Sequence, residues 1–224
     1  MIVVAVPVKD LATAKQRLVP ALPPERRAGL ARAMLADVLR VLAGCRLDAV
    51  WVVTRDAEAA MQARALGAEV LLEPENQGHT AAVARAQAEA ARRGARVFVT
   101  VPGDVPCLAG DEVQALAGAA REAPAAVFVP SRSGLGTNGV ALAPPAAMPL
   151  RFGEPSFENH LAEARRRGLD PRVLSLPGLA LDVDSPDDLA SLVAAGAGTE
   201  SGRLAARWLR EGGLRPGAPA ARAC

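Results

Sequence analysis

Asp182 and Asp184 stand two residues apart in Leu181-Asp182-Val183-Asp184, a spacing that on an extended segment turns both carboxylates to one side. Two such charges about 4 Å apart repel by roughly 4 kcal/mol at an effective dielectric of 20. A bound cation reverses that cost, and Mg²⁺ takes hard oxygen ligands of this kind; a solvated acidic turn is the plainer reading. The next residues need no metal to explain them. Ser185 is a good N-cap, Pro186 suits the first helical position, and Asp187 and Asp188 complement the helix dipole. A third carboxylate, Asp104, lies far earlier in Val101-Pro102-Gly103-Asp104-Val105-Pro106. An Asx turn is its simpler role, and a share in the same metal its chemical one.

The cations are distributed as unevenly as these carboxylates. Every positive side chain is arginine except Lys9 and Lys15, and both fall in the segment that runs from Pro7 and Val8 to Arg17 and Leu18. Chance in an arginine-biased chain is one explanation. The other is a need for compact ammonium groups among phosphate oxygens, where a planar guanidinium fits badly. The segment is neither a Walker A loop nor a dinucleotide fingerprint, because GxxxxGK[ST] and GxGxxG are both missing. Two later stretches are candidate anion sites. Ser131-Arg132-Ser133-Gly134-Leu135-Gly136-Thr137-Asn138-Gly139 offers backbone amides as a nest would. Phe152-Gly153-Glu154-Pro155-Ser156 is expected to end on Ser156 as the N-cap of a helix with free amides, and His160, one turn on, reads as structural. Phosphoryl-type transfer needs phosphates held in line and their charge neutralised rather than covalent help, and three Asp, two Lys and one Arg at strand ends match that need.

Short β-branched runs must place these groups. Ile2 to Val6, Val50 to Thr54, Glu69 to Leu72, Arg96 to Val101 and Ala126 to Pro130 read as strands, and Pro24 to Ala43, Asp56 to Leu66, Thr80 to Arg93 and Gly110 to Arg121 as helices. Further along, Val140 to Ala143 and Leu179 to Val183 read as strands, and Ser156 to Gly168 and Ser185 to Ala195 as helices. Alternation of this kind predicts a doubly wound α/β fold with a mostly parallel, Rossmann-like sheet covered on both faces. Ligands then bind beyond the carboxyl ends of the strands. One domain over residues 1–195 accounts for this pattern, and residues 196–224 read as a C-terminal helix, Thr199 to Glu211, and a frayed tail. That helix, with Leu204, Trp208 and Leu209 on one side, has two candidate partners: the parent domain and a second subunit of a homodimer.

The bulk properties narrow the setting. A net charge of +2, from 26 basic and 24 acidic residues spread along the chain without a basic stripe, argues against nucleic-acid binding. Cys45, Cys107 and Cys224 have no zinc or redox spacing, and the apolar start is too short for a signal core or a membrane span. A cytoplasmic protein is expected.

Taken together, the motifs resemble the CofC/FbiD guanylyltransferases of coenzyme F420 biosynthesis, relatives of the MobA-like nucleotidyltransferases. The resemblance rests on Val6-Pro7-Val8-Lys9 with Lys15 and Arg17-Leu18, Pro102-Gly103-Asp104-Val105-Pro106, Gly136-Thr137-Asn138, Phe152-Gly153 with Ser156-Phe157 and His160, and Asp182-Val183-Asp184-Ser185-Pro186-Asp187-Asp188-Leu189. They occur in the family's order over roughly residues 1–195. The resemblance implies a nucleotidyltransferase fold and transfer of GMP from GTP to a small phospho-acid such as 2-phospholactate, phosphoenolpyruvate or 3-phosphoglycerate, with release of pyrophosphate. It implies Mg²⁺ on Asp104, Asp182 and Asp184, and catalytic roles for Lys15, Arg17 and Asp104. The nucleotide would meet Pro7, Val8, Lys9, Lys15, Gly78 and Pro102, and the acid Thr137, Asn138, Gly153 and Ser156. The chain departs from the pattern at Gly78-His79-Thr80-Ala81-Ala82, where the family usually shows Gly-Leu-Asn-Ala-Ala, which leaves the choice of base and of acceptor open. Two alternatives stand beside this reading. A related enzyme acting on a molybdopterin or sugar phosphate is opposed by the missing Gly-rich first loop, and a non-catalytic nucleotide-binding protein by the intact Lys15, Asp104, Asp182 and Asp184.

Overall fold

The computed structural model describes residues 1–75 and 77–212. Seven strands, β1 (Ile2–Pro7), β2 (Ala49–Thr54), β3 (Glu69–Leu72), β4 (Val97–Thr100), β5 (Ala125–Pro130), β6 (Thr137–Ala143) and β7 (Pro171–Val173), form one sheet in the order β3-β2-β1-β4-β6-β5-β7. The helices are α1 (Pro24–Ala43), α2 (Ala57–Ala65), α3 (His79–Arg92), α4 (Gly110–Ala119), α5 (Ser156–Arg166), α6 (Pro177–Ala180), α7 (Pro186–Ala195) and α8 (Glu200–Arg210). Only β6 runs antiparallel to its neighbours. That reversal brings the start of β6, Thr137 and Asn138, to the rim where the parallel strands end.

Alternation along the strands builds two cores. Val4, Val6, Val52, Val99 and Val127 face α1, α2 and α4 on one side. Val3, Ala5, Trp51, Phe98 and Phe128 face α3 and α5 on the other. A third cluster joins Leu18 of the first loop to Met34 of α1, Val183, Leu189 of α7 and Trp208 of α8. It lies directly behind two of the charged segments, so helices far from the rim fix their position. The parent domain is the partner α8 takes. Asp37 of α1 accepts from the Glu200 and Ser201 amides at 2.8 and 2.9 Å and from Ser201 Oγ at 2.7 Å, and Trp208 is buried while Leu209 stays exposed. The stretch after Gly212, read above as a frayed tail, lies outside the described residues.

Three expectations change. Leu179 to Val183 is not a strand. Pro177 starts the single turn of α6, and Gly178 packs so closely on the Cys107 carbonyl that a Cβ would stand 2.2 Å from its oxygen. The following residues run extended without joining the sheet, held instead by Val183 N–H donating to the Asp104 carbonyl at 3.1 Å. Strand β6 begins earlier than expected, at Thr137, because Gly139 is not a breaker there. Its missing side chain leaves room for Leu179, whose Cδ2 would lie 2.7 Å from a Cβ. Strand β7 escaped the pattern because Arg172 and Val173 are exposed and the strand has only three residues. Among the described residues, no helix is long and apolar enough to cross a membrane.

Candidate active site

The first loop is tied at both ends. Val8 N–H extends the β1 pairing by donating to the Val53 carbonyl at 2.9 Å, and Leu11 N–H donates to Asp56 Oδ2 at 2.9 Å. The other oxygen of Asp56 caps α2 through the Ala59 amide. Beyond this anchor Lys15 adopts φ +59°, a left-handed backbone that costs a non-glycine residue roughly 1–2 kcal/mol. The geometry turns its side chain inward while Leu18, in the next turn, enters the third core.

Lys15 Nζ donates to Asp104 Oδ2 at 2.5 Å and to Asp184 Oδ1 at 2.8 Å. Carboxylates from two remote segments thus close on one ammonium whose side chain is only 6% exposed, against 31% and 41% for theirs. Burial pulls the Lys15 pKa down, but the two carboxylates outweigh it and hold it above the ordinary lysine value. Burial likewise pushes Asp104 up, and the Lys15 charge and hydrogen bond reverse that, leaving it below the usual carboxylate range. Asp182 differs. Its Oδ1 accepts from Asn138 Nδ2 at 2.9 Å, yet burial, with repulsion from Asp104 and Asp184, keeps its pKa raised. The alternation read from the sequence holds, with Leu181 and Val183 buried and the two aspartates turned to the rim.

Two cavities meet at these groups. One of about 380 Å³ is lined by Pro7, Val8, Lys9, Lys15 and Pro102, among others. One of about 560 Å³ is lined by Arg17, Gly78, Thr137, Asn138, Gly153, Ser156 and Asp182. Lys9, His79, Pro102, Asp104 and Asp184 belong to both, so the charged cluster is the seam between them. Every site residue named from the sequence therefore lines one cavity or the other, with Arg17 and Gly78 on the larger one. No group of three or more His, Cys, Asp or Glu close enough to hold a metal unaided occurs among the described residues. The donor set still suits Mg²⁺, which is usually held by one or two carboxylates completed by substrate phosphates and water.

The larger cavity has a neutral, hydrogen-bonded wall. Ser156 is not the N-cap of α5, a place taken by Pro155. It is buried, and its Oγ donates to Thr137 Oγ1 at 3.2 Å. Thr137 Oγ1 is also 3.0 Å from His160 Nδ1. The glycine loop makes no open nest, because the Gly134, Leu135 and Gly136 amides donate to Ser131 O, Ser133 Oγ and Ser131 Oγ. Asn138 also donates to the Leu179 and Ala180 carbonyls at 3.1 Å, so it orients Asp182 as well as lining the cavity. Two residues escaped assignment from sequence. Thr80 Oγ1 accepts from Phe152 N–H at 2.9 Å and hangs the Phe152 to Ser156 loop on the start of α3. His79 packs edge-on against Phe152 at 4.5 Å, and burial lowers its pKa to about 4. Their departure from the family pattern was the only sign of them.

Known proteins resemble this chain in sequence and in fold. The family model described as guanylyl transferase CofC like matches residues 2–214. A phosphoenolpyruvate guanylyltransferase of Rubrobacter xylanophilus is 43% identical over 191 residues, covering 85% of this chain and 93% of the relative. A 2-phospho-L-lactate guanylyltransferase of Methanothermobacter thermautotrophicus is 38% identical over 196 residues, covering 88% and 86%. Among solved structures, one from Desulfovibrio desulfuricans G20, described provisionally as a nucleotide-diphospho-sugar transferase, has a TM-score of 0.77 at 17% identity and covers 93% of this chain and 95% of that one. A nucleotidyl transferase from Methanothermobacter has a TM-score of 0.61 at 16% identity, covering 94% and 99%. These likenesses establish the fold, a seven-stranded mixed α/β sheet of the nucleotidyltransferase type.

Proposed function

The chain belongs to the guanylyl transferase CofC-like family, and from that premise we propose that it moves GMP from GTP to a small phosphorylated acid, with release of pyrophosphate, in coenzyme F420 biosynthesis. Relatives named for phosphoenolpyruvate and 2-phospho-L-lactate support the acceptor class. The observation that carries the reading is Lys15 bridging Asp104 and Asp184 at the seam of two cavities.

In this reaction a phosphoryl oxygen of the acid attacks the α-phosphorus of GTP, the bond from that phosphorus to the α,β-bridging oxygen breaks, and pyrophosphate leaves. Pro7, Val8, Lys9, Lys15 and Pro102 hold the triphosphate in the smaller cavity. Lys9, Lys15 and, from the larger cavity, Arg17 neutralise its charge, so the bond that breaks need not carry it unshielded. Gly78, at the turn into α3, completes the nucleotide's surroundings. Thr137, Asn138, Gly153 and Ser156 orient the acid, which sets the attacking oxygen in line. Mg²⁺ would be held by one or two carboxylates of the set Asp104, Asp182 and Asp184, completed by substrate phosphates and water, and would when bound supply further neutralisation of phosphate charge. Free Cys45 and Cys107, both with raised pKa values because burial disfavours the thiolate, support placement in a reducing cytoplasm.

The test is pyrophosphate release and product mass spectrometry with Mg²⁺, each NTP in turn, and a pool of phosphoenolpyruvate, 2-phospholactate and 3-phosphoglycerate. The account expects a guanosine diphosphate-linked acid from GTP. Absence of pyrophosphate with every pair, while nucleotide still binds, would refute it.

A further inference from the structure

His160 lies on α5 beneath the larger cavity and is 2% exposed. Phe128 stacks on its ring at 5.7 Å with planes 10° apart, and Phe152 meets it edge-on at 5.1 Å. The ring therefore cannot turn freely, and both nitrogens are in use. Arg151 N–H donates to Nε2 at 3.0 Å, so Nε2 carries no proton. A neutral imidazole has one N–H, which must then sit on Nδ1 and donate to Thr137 Oγ1, 3.0 Å away. The same oxygen accepts from Ser156 Oγ. A hydroxyl has two lone pairs and one proton. With both lone pairs occupied, Thr137 is left only the role of donor, and it lines the cavity together with Gly153 and Asp182.

We propose that His160 is a positioning residue: held in one tautomer by the Arg151 amide, it compels the Thr137 hydroxyl to donate into the cavity, toward an anionic oxygen of the acceptor. The inference rests on the proposed GMP transfer for the identity of that ligand, but not for the tautomer. Without the Nδ1–H bond the hydroxyl would rotate between donating and accepting, and an anion can use only the first. His160 touches no substrate itself.

Two measurements on the full-length protein test this. In ¹⁵N-histidine-labelled protein near pH 7, the His160 ring shifts should show Nδ1 protonated and Nε2 bare; the opposite tautomer, or an imidazolium, overturns the proposal whatever the enzyme's substrate. In steady-state kinetics with GTP and phosphoenolpyruvate, His160→Phe should raise the KM for the acid about 10-fold, with kcat and the GTP KM within about twofold. His160→Asn, whose amide can stand near the Nδ1 position, should recover most of the loss. The double variant Thr137→Val/His160→Phe should be no worse than Thr137→Val alone, because His160 acts through that hydroxyl. Losses that multiply, or a His160→Asn as poor as His160→Phe, overturn it. A wild-type enzyme inactive with every acid, together with the expected tautomer, would remove the GMP-transfer reading and leave the tautomer assignment standing.

Discussion

On the smaller cavity's side the site is made of charges that come from three distant stretches of chain. Asp104 and Asp184 remain about a third to two-fifths exposed around Lys15. On the larger cavity's side, beside Arg17 and Asp182, one wall is made of neutral groups, Thr137 and Ser156 with His160 behind them, all buried and hydrogen-bonded through Thr137. The two constructions suit different tasks. Partly hydrated charges can change partners at modest cost when a polyanion arrives, since water shares their field. A buried neutral network has no such freedom, because any group left without a partner there carries its full desolvation cost. The charged half is thus fitted to meet charge that changes during reaction, and the neutral half to hold a small acid in one orientation.

Removing charges should therefore act on turnover, and removing hydroxyls on acceptor affinity. The largest effect is expected from Asp104→Ala or Asp184→Ala, each lowering kcat by at least about 10³-fold with an unchanged circular dichroism spectrum. Near-normal turnover in either would erase the distinction. Thr137→Val should raise the acceptor KM by about 10-fold with little change in kcat. It should also lower stability by about 1–3 kcal/mol, since His160 and Ser156 lose their acceptor; denaturant midpoints and initial rates check both.

The smallest effect concerns acid. Burial depresses the His160 pKa to about 4, below its value near 6.5 in an unfolded chain. The unfolded state thus takes up the proton first, so this contribution to stability is present above about pH 6.5 and is lost as pH falls toward 4. His160→Gln should flatten part of that decline, with His79, also near 4, supplying the rest. Parallel stability curves for variant and wild type would contradict the assignment.

Much of this division was legible before the fold was known. Short apolar, β-branched runs located five strands to within a residue or two, and the Asp182/Asp184 spacing survived although the segment carrying it proved to be no strand. What alternation reports is burial of Leu181 and Val183, and that is the same whether or not a ladder forms. The order of the neutral half was not legible. Asn138 orienting Asp182, Thr80 tethering Phe152 and Ser156 serving Thr137 are side-chain bonds across 19 to 72 residues, and local propensity contains no information about them. The left-handed Lys15 was equally hidden, since nothing local favours that backbone for a lysine. Asp37 capping α8 across more than 160 residues shows the same limit on the structural side.

The central claim is that residues remote in sequence form one charged centre, and a double-mutant cycle on kcat between Lys15→Met and Asp184→Ala tests it most directly. Lys15→Met should lower turnover by about 10²-fold or more and Asp184→Ala by at least about 10³-fold, and the double variant should lose at most about tenfold beyond the worse single, as groups acting as a unit do. Losses that multiply in full would mean that Lys15 and Asp184 work independently and that the bridge plays no part in the reaction.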